Sequence, residues 1–178
     1  MSLRMPKRKH IRLRNFDYSS ANAYFITICV KNFEYHFGEI KNGIMGFSEI
    51  GNVAACSLQE ITERWSSTIL DEFIIMPNHV HCIIEIKNNF SSDNPNKYGR
   101  PVKGSVSVMI NQYKGSVKKW CNQNGHECFQ WQGRFYDHVI RDNKEYWAIK
   151  NYITNNPANW NKDKLCRDLP RTNSNDNK

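Results

Sequence analysis

Met76-Pro77-Asn78-His79-Val80-His81-Cys82-Ile83-Ile84-Glu85-Ile86 is the stretch on which the reading of this chain turns. Its run of β-branched residues after Pro77-Asn78 predicts a strand, and strand side chains alternate between faces. His79 and His81 therefore share one face, while Val80, Cys82, Ile84 and Ile86 make an apolar stripe on the other. Two imidazoles on one strand face form half of a divalent-cation site. Paired strand histidines also occur with no ligand, so the remainder of the chain decides between the readings.

Working outward, Ala23–Val30 is rich in β-formers and reads as a buried strand. Two short runs, 35–40 and 44–47, flank Asn42-Gly43, a hairpin signal. Ser48 is placed to cap a helix over 49–65, where Ile50, Val53, Ala54, Leu58, Ile61 and Trp65 recur at helical spacing. A strand over 69–76 precedes the histidine strand. Residues 87–104, rich in Asn, Ser, Pro and Gly, read as a loop. Ser105 then opens a helix with a stripe of Val106, Ile110, Tyr113, Val117 and Trp120. Extended chain is expected over 129–140, and a helix over 143–155 that stops before Pro157. The pattern predicts an α+β fold, with a central antiparallel or mixed sheet of about five strands covered by helices.

With 178 residues, the chain is expected to form one domain over 17–160, between a basic arm at 1–16 and a polar tail at 161–178. Its net charge of +8 favours an anionic partner. The arm carries Arg4, Lys7, Arg8, Lys9, Arg12 and Arg14 with no acid, a composition suited to phosphate contacts. No apolar run approaches the ~20 residues of a membrane span, and a cytoplasmic chain is expected. The six cysteines form no Cys-x-x-Cys and read as free thiols.

Two further features suggest chemistry. Tyr113 shares its helix with Lys114, Lys118 and Lys119, cations that would draw a phosphate backbone close, and with Gly115, an interior helical glycine that hints at close approach by a ligand or another chain. The segment Trp131-Gln132-Gly133-Arg134-Phe135-Tyr136-Asp137-His138-Val139-Ile140-Arg141 interleaves aromatics with arginine, which suits base stacking and phosphate contact.

Taken together, Met-Pro-Asn-His79-Val80-His81, the helix bearing Tyr113, Trp131–Phe135 and Tyr152-Ile153-Thr154-Asn155-Asn156-Pro157 resemble the single-tyrosine transposases of the HUH superfamily, above all their REP-associated tyrosine branch. The resemblance runs from about Arg12 to Trp160. It implies the ferredoxin-like HUH nuclease fold and a nuclease and strand transferase for single-stranded, hairpin-bearing DNA. It further implies His79 and His81 as metal ligands, Tyr113 as nucleophile, Mg²⁺ or Mn²⁺ as cofactor and a 5′-phosphotyrosine intermediate. Imidazole donors favour Mn²⁺ by intrinsic affinity. Arg12, Arg14, Lys114, Lys118, Arg134 and Arg141 are the expected DNA contacts. The resemblance leaves monomer and homodimer open.

In related enzymes an amide one helical turn after the tyrosine completes the metal site, and after Tyr113 that position is Val117, which cannot ligate. Glu85 lies far along the strand and Gln112 points elsewhere on its helix, so the third ligand stays unassigned. Val117 thus supports a second reading, a nucleic-acid-binding protein that keeps the fold and has lost the chemistry. An RNA-binding sheet protein with exposed aromatics is a third.

Overall fold

A computed structural model describes residues 16–89 and 102–166. The first strand, β1 (Ala23–Cys29), is followed by the hairpin of β2 (Gly38–Lys41) and β3 (Ile44–Phe47). Then come α1 (Glu49–Arg64), β4 (Thr68–Met76), β5 (His79–Ile86), α2 (Val106–Gln123), β6 (Tyr136–Ile140) and α3 (Asn143–Asn155). A closing 3₁₀ turn spans Pro157–Lys162. Four strands form one antiparallel sheet in the order β4-β5-β1-β6, and β2-β3 stands apart from it. The α+β architecture matches expectation, while the hairpin strands do not join the central sheet.

Each sheet face has its own cover. The alternate residues Tyr24, Ile26 and Ile28 of β1 and Val80, Cys82, Ile84 and Ile86 of β5 meet α1 and α2 in the main core. The opposite face carries a smaller cluster in which Ile83, Ile140 and Ile153 are fully or nearly buried, and this cluster seats α3. A bulge in β4 between Leu70 and Phe73 interrupts the ladder beside Asp71. Lys150 lies 2.9 Å from that carboxylate and the Tyr146 hydroxyl donates to it, so α3 is fastened to β4 as well as packed on the sheet. These hydrogen bonds prevail over burial and hold the Asp71 carboxyl below its usual range.

Local chemistry sets the element ends. Ser48 Oγ accepts from the Gly51 amide at 3.0 Å and caps α1. Asp142 caps α3 by accepting from Glu145 N at 2.8 Å. Only 136–140 of the expected extended stretch 129–140 pairs as strand; Trp131 forms an isolated bridge to Val30. The arm, most of the 87–104 loop and the end of the tail lie outside the described residues. Among the described residues, no helix is long and apolar enough to cross a membrane.

Two helical glycines make opposite predictions. A Cβ on buried Gly51 would stand 2.1 Å from the Phe37 carbonyl oxygen, which accepts from Ser48 N. A Cβ on exposed Gly115 would meet nothing within 4 Å, so no close approach within the described chain explains that glycine. Gly51→Ala is expected to lower unfolding free energy by about 1–3 kcal/mol. Gly115→Ala is expected to raise it by up to about 1 kcal/mol. Urea denaturation of both variants tests the pair.

Candidate active site

The histidine strand runs through the middle of the sheet, where His79 pairs with Cys29 and Met76, and His81 with Thr27 and Ile74. Their rings lie 4.5 Å apart by centroid, and both side chains are buried. Asn78, in the turn that precedes them, fixes the first ring. Its Nδ2 donates to the carbonyls of Phe33 at 3.1 Å and Leu165 at 2.8 Å. Those two acceptors determine which way the amide faces. Oδ1 must then meet His79 Nδ1, 2.8 Å away, so Nδ1 carries the proton and Nε2 keeps a free lone pair. His81 Nδ1 lies 2.8 Å from Thr27 Oγ1. Burial pushes the His79 pKa down to about 3. Burial, then the neighbouring His79, holds His81 well below its ordinary value. Both rings are neutral near pH 7 and offer nitrogen lone pairs.

A tyrosine of α3 closes on this pair. The Tyr152 hydroxyl is 3.3 Å from His81 Nε2 and 3.4 Å from Asp163 Oδ2, and its ring is 46% exposed. Burial, followed by the Asp163 charge, raises its pKa. One helical turn on, Asn156 donates from Nδ2 to Asp163 Oδ2 at 2.9 Å. Asp163 itself accepts from Leu165 N at 2.7 Å. Ligand atoms of His79, His81 and Asp163 all lie within 4.8 Å of one another. His79 Nε2 and Asn156 Oδ1 are buried and have no hydrogen-bond partner among the described residues. Unpaired buried acceptors usually mark a missing partner. Two imidazole nitrogens, an amide oxygen and a carboxylate fit a divalent cation that takes mixed nitrogen and oxygen donors.

Tyr113 is not brought to this site. It is 2% exposed in the main core, packed on Trp131 at 5.6 Å between ring centroids. Burial, and then Cys82, raise its pKa well above normal. Cys82 points away from the histidines, so Tyr113 belongs to the opposite face of the sheet. Lys114 and Lys118 act locally. Lys114 Nζ donates to the Gln132 carbonyl, and Lys118 Nζ to those of Glu127 and Phe129 at 2.9 and 2.7 Å. They bind 127–132 to α2 rather than projecting freely. Arg141 is exposed at the start of α3. Arg134 lines an open cavity of about 750 Å³ with His81, Tyr152, Asn156, Lys162 and Lys164. Arg12 and Arg14 lie outside the described residues.

Trp160 is buried, its ring 5.9 Å from that of His79, and beyond it Asp163 and Leu165, from the stretch expected as a polar tail, return to the site. Tyr152, Asn156 and Asp163 were missed by sequence reasoning. A signal for two of them was present, because the amide expected one turn after the tyrosine is absent after Tyr113 and present after Tyr152.

Comparison with known proteins adds three findings. Residues 47–156 match the model of the family described as Transposase IS200 like. An uncharacterized protein of Haemophilus influenzae is 38% identical over 90% of this chain and 94% of its own length. A putative REP-associated tyrosine transposase of the same organism is 26% identical over 54% of this chain and 53% of its own. A solved REP-associated tyrosine transposase bound to a REP hairpin has the same fold, with a TM-score of 0.60 and 18% identity over 84% of this chain and 74% of that one.

The buried neutral histidines give a pH prediction. The unfolded chain protonates His79 near pH 6.5, whereas the native state resists until about 3. Between those values the unfolded state binds more protons, so stability is full above pH 6.5 and falls as pH drops. At about pH 5 the loss from His79 alone is about 2 kcal/mol. Denaturant titration of wild type and His79→Gln at pH 7 and about pH 5 should show a shallower loss in the variant.

Proposed function

Because the chain belongs to the IS200-like transposase family, we propose that it cleaves and rejoins single-stranded DNA, with Tyr152 as the nucleophile. One observation carries this assignment: the Tyr152 hydroxyl lies within 3.4 Å of both His81 and Asp163, on the sheet face of the paired histidines. Hairpin-bearing DNA is the substrate class, a reading supported by the shared fold of the solved relative that holds a REP hairpin.

His79 Nε2, His81 Nε2 and Asn156 Oδ1 would hold Mg²⁺ or Mn²⁺, with the Asp163 charge beside them. A bound divalent cation supplies Lewis acidity to a phosphate oxygen and offsets the charge that repels the nucleophile. Asn78 and Thr27 orient the imidazoles, in the manner of outer-shell partners that set tautomer and ring angle. Asp163 orients the Asn156 amide and is placed to receive the Tyr152 proton. Tyr152 oxygen then bonds to phosphorus as the bond to the 3′ oxygen breaks, and that oxygen takes up a proton from water, leaving a 5′-phosphotyrosine and a 3′-hydroxyl. The transferred phosphodiester is conserved, so a 3′-hydroxyl can reverse the step and join strands. Arg134, Lys162 and Lys164 line the cavity and supply positive charge for the phosphate backbone. The case for a disabled binding protein rested on Val117; Asn156 supplies, after Tyr152, the amide that Val117 lacks.

Incubation with labelled hairpin oligonucleotides and Mn²⁺, followed by denaturing electrophoresis, tests the assignment. Wild type and Tyr113→Phe should yield a covalent protein–DNA adduct, and Tyr152→Phe none. His79→Ala and His81→Ala should each reduce the adduct by about 100-fold or more, and their losses should not add. An adduct that survives Tyr152→Phe would remove Tyr152 as nucleophile. No adduct from wild type on any hairpin, with either metal, would favour the binding protein.

A further inference from the structure

The aromatic and arginine-rich segment 131–141 is used only in part by the chemistry above. Its strand, β6, is an edge of the sheet, and Tyr136 sits opposite Thr27 on the histidine face. Tyr136 is 45% exposed, although it stands beside a tightly packed site. Its ring meets that of Phe25 at 6.4 Å and 70°, and Tyr152 meets the same Phe25 ring at 6.2 Å and 86°. Two exposed tyrosines thus stand steeply to a shared phenylalanine floor. The three rings are the common wall of two cavities. One is the cavity of about 750 Å³ that carries Arg134, Lys162 and Lys164. The other, of about 330 Å³, is lined also by His138, Glu145, Ala148 and Ile149.

We propose that the Phe25–Tyr136–Tyr152 cleft is a subsite for one unpaired nucleobase of the DNA strand next to the scissile phosphate, with Tyr136 as its stacking partner and Arg134 on the flanking backbone. The proposal rests on the reading of Tyr152 as nucleophile. A phosphate at the Tyr152 hydroxyl brings the adjoining nucleotide against the same ring wall. A flat, apolar cleft flanked by cations suits a base and its phosphate, since every base offers a π-face and every linkage a negative charge. The base must be unpaired, because a paired one has both faces covered by its neighbours in the duplex. Stacking of this kind tolerates any base, so the subsite selects single-stranded over duplex DNA at the cleavage point.

The test is a cycle between side chain and base. Full-length protein carrying Tyr152→Phe, which keeps the ring and removes the nucleophile, is titrated by fluorescence anisotropy. The probe is a fluorescein-labelled DNA hairpin with single-stranded extensions on both sides, intact or with one abasic site walked along the extensions. On the intact probe, adding Tyr136→Ala should weaken binding by about 10-fold, whereas Tyr136→Phe and Tyr136→Trp should bind like the parent. At one abasic position the effect of Tyr136→Ala should vanish, and adduct mapping with wild type should place that position next to the cleaved linkage. An Ala variant that binds as tightly as the parent, or one whose loss is the same on every abasic probe, would overturn the subsite. Adduct formation by wild type alongside such a flat cycle would sink the subsite and leave the nucleophile standing. Loss that depends on one base, with no adduct from wild type, would keep the stacking site and remove Tyr152 from its catalytic role.

Discussion

A strand shows each side chain to one face only, and in β5 that constraint sorts the whole molecule. Val80, Cys82, Ile84 and Ile86 are committed to α1 and α2. His79 and His81 are committed to the other side, where α3 and the 3₁₀ turn after it form the cover. A nucleophile that shares a phosphate with the histidines must come from that second cover. Tyr113 stands in the main core on the far face of the sheet, and Tyr152 stands beside His81.

The second cover is held by unlike forces. Ile83, Ile140 and Ile153 bury an apolar seat for α3, and Asp71 fastens the helix at its outer edge. Nearer the site, polar groups take over. Asn78 spends both amide hydrogens on the Phe33 and Leu165 carbonyls and its oxygen on His79, so one buried side chain ties the turn after β4, the segment after β1 and the chain beyond Trp160. A buried polar atom left unpaired typically costs about 1–3 kcal/mol. The molecule tolerates that at His79 Nε2 and Asn156 Oδ1 while satisfying the atoms around them. The Tyr113 hydroxyl, in the main core, is a further such atom; what sets the pair at the site apart is that both stand beside the ligand atoms of His81 and Asp163.

Much of this was readable from sequence because it was local. The Asn42-Gly43 hairpin, the Ser48 cap, the helix at 143–155 and the faces of β5 follow from turn chemistry and side-chain period. The four-stranded order was not, because nothing near Ala23 or Tyr136 states that β1 lies between β5 and β6. Which tyrosine stands beside the histidines was not legible for the same reason. Tyr113 and Tyr152 both sit on helical stripes beside lysines, and which stripe faces the histidines is a tertiary fact. Segment 161–166 reads as tail because it is polar; it is tied down by single hydrogen bonds from Asn78 to Leu165 and from Asn156, Tyr152 and Leu165 to Asp163, which leave no periodic trace.

The return of Asp163 and Leu165 to the histidine strand also sets an order of assembly. On a ribosome the paired histidines emerge long before Tyr152, and Tyr152 before the carboxylate that contacts it. The β4–β5 hairpin can form early, yet its central ring acquires its full set of neighbours only when nearly the whole domain has been synthesised. On the function proposed above, a chain lacking its last twenty residues would carry the histidines and Tyr152 without the arrangement that Asp163 and Leu165 complete.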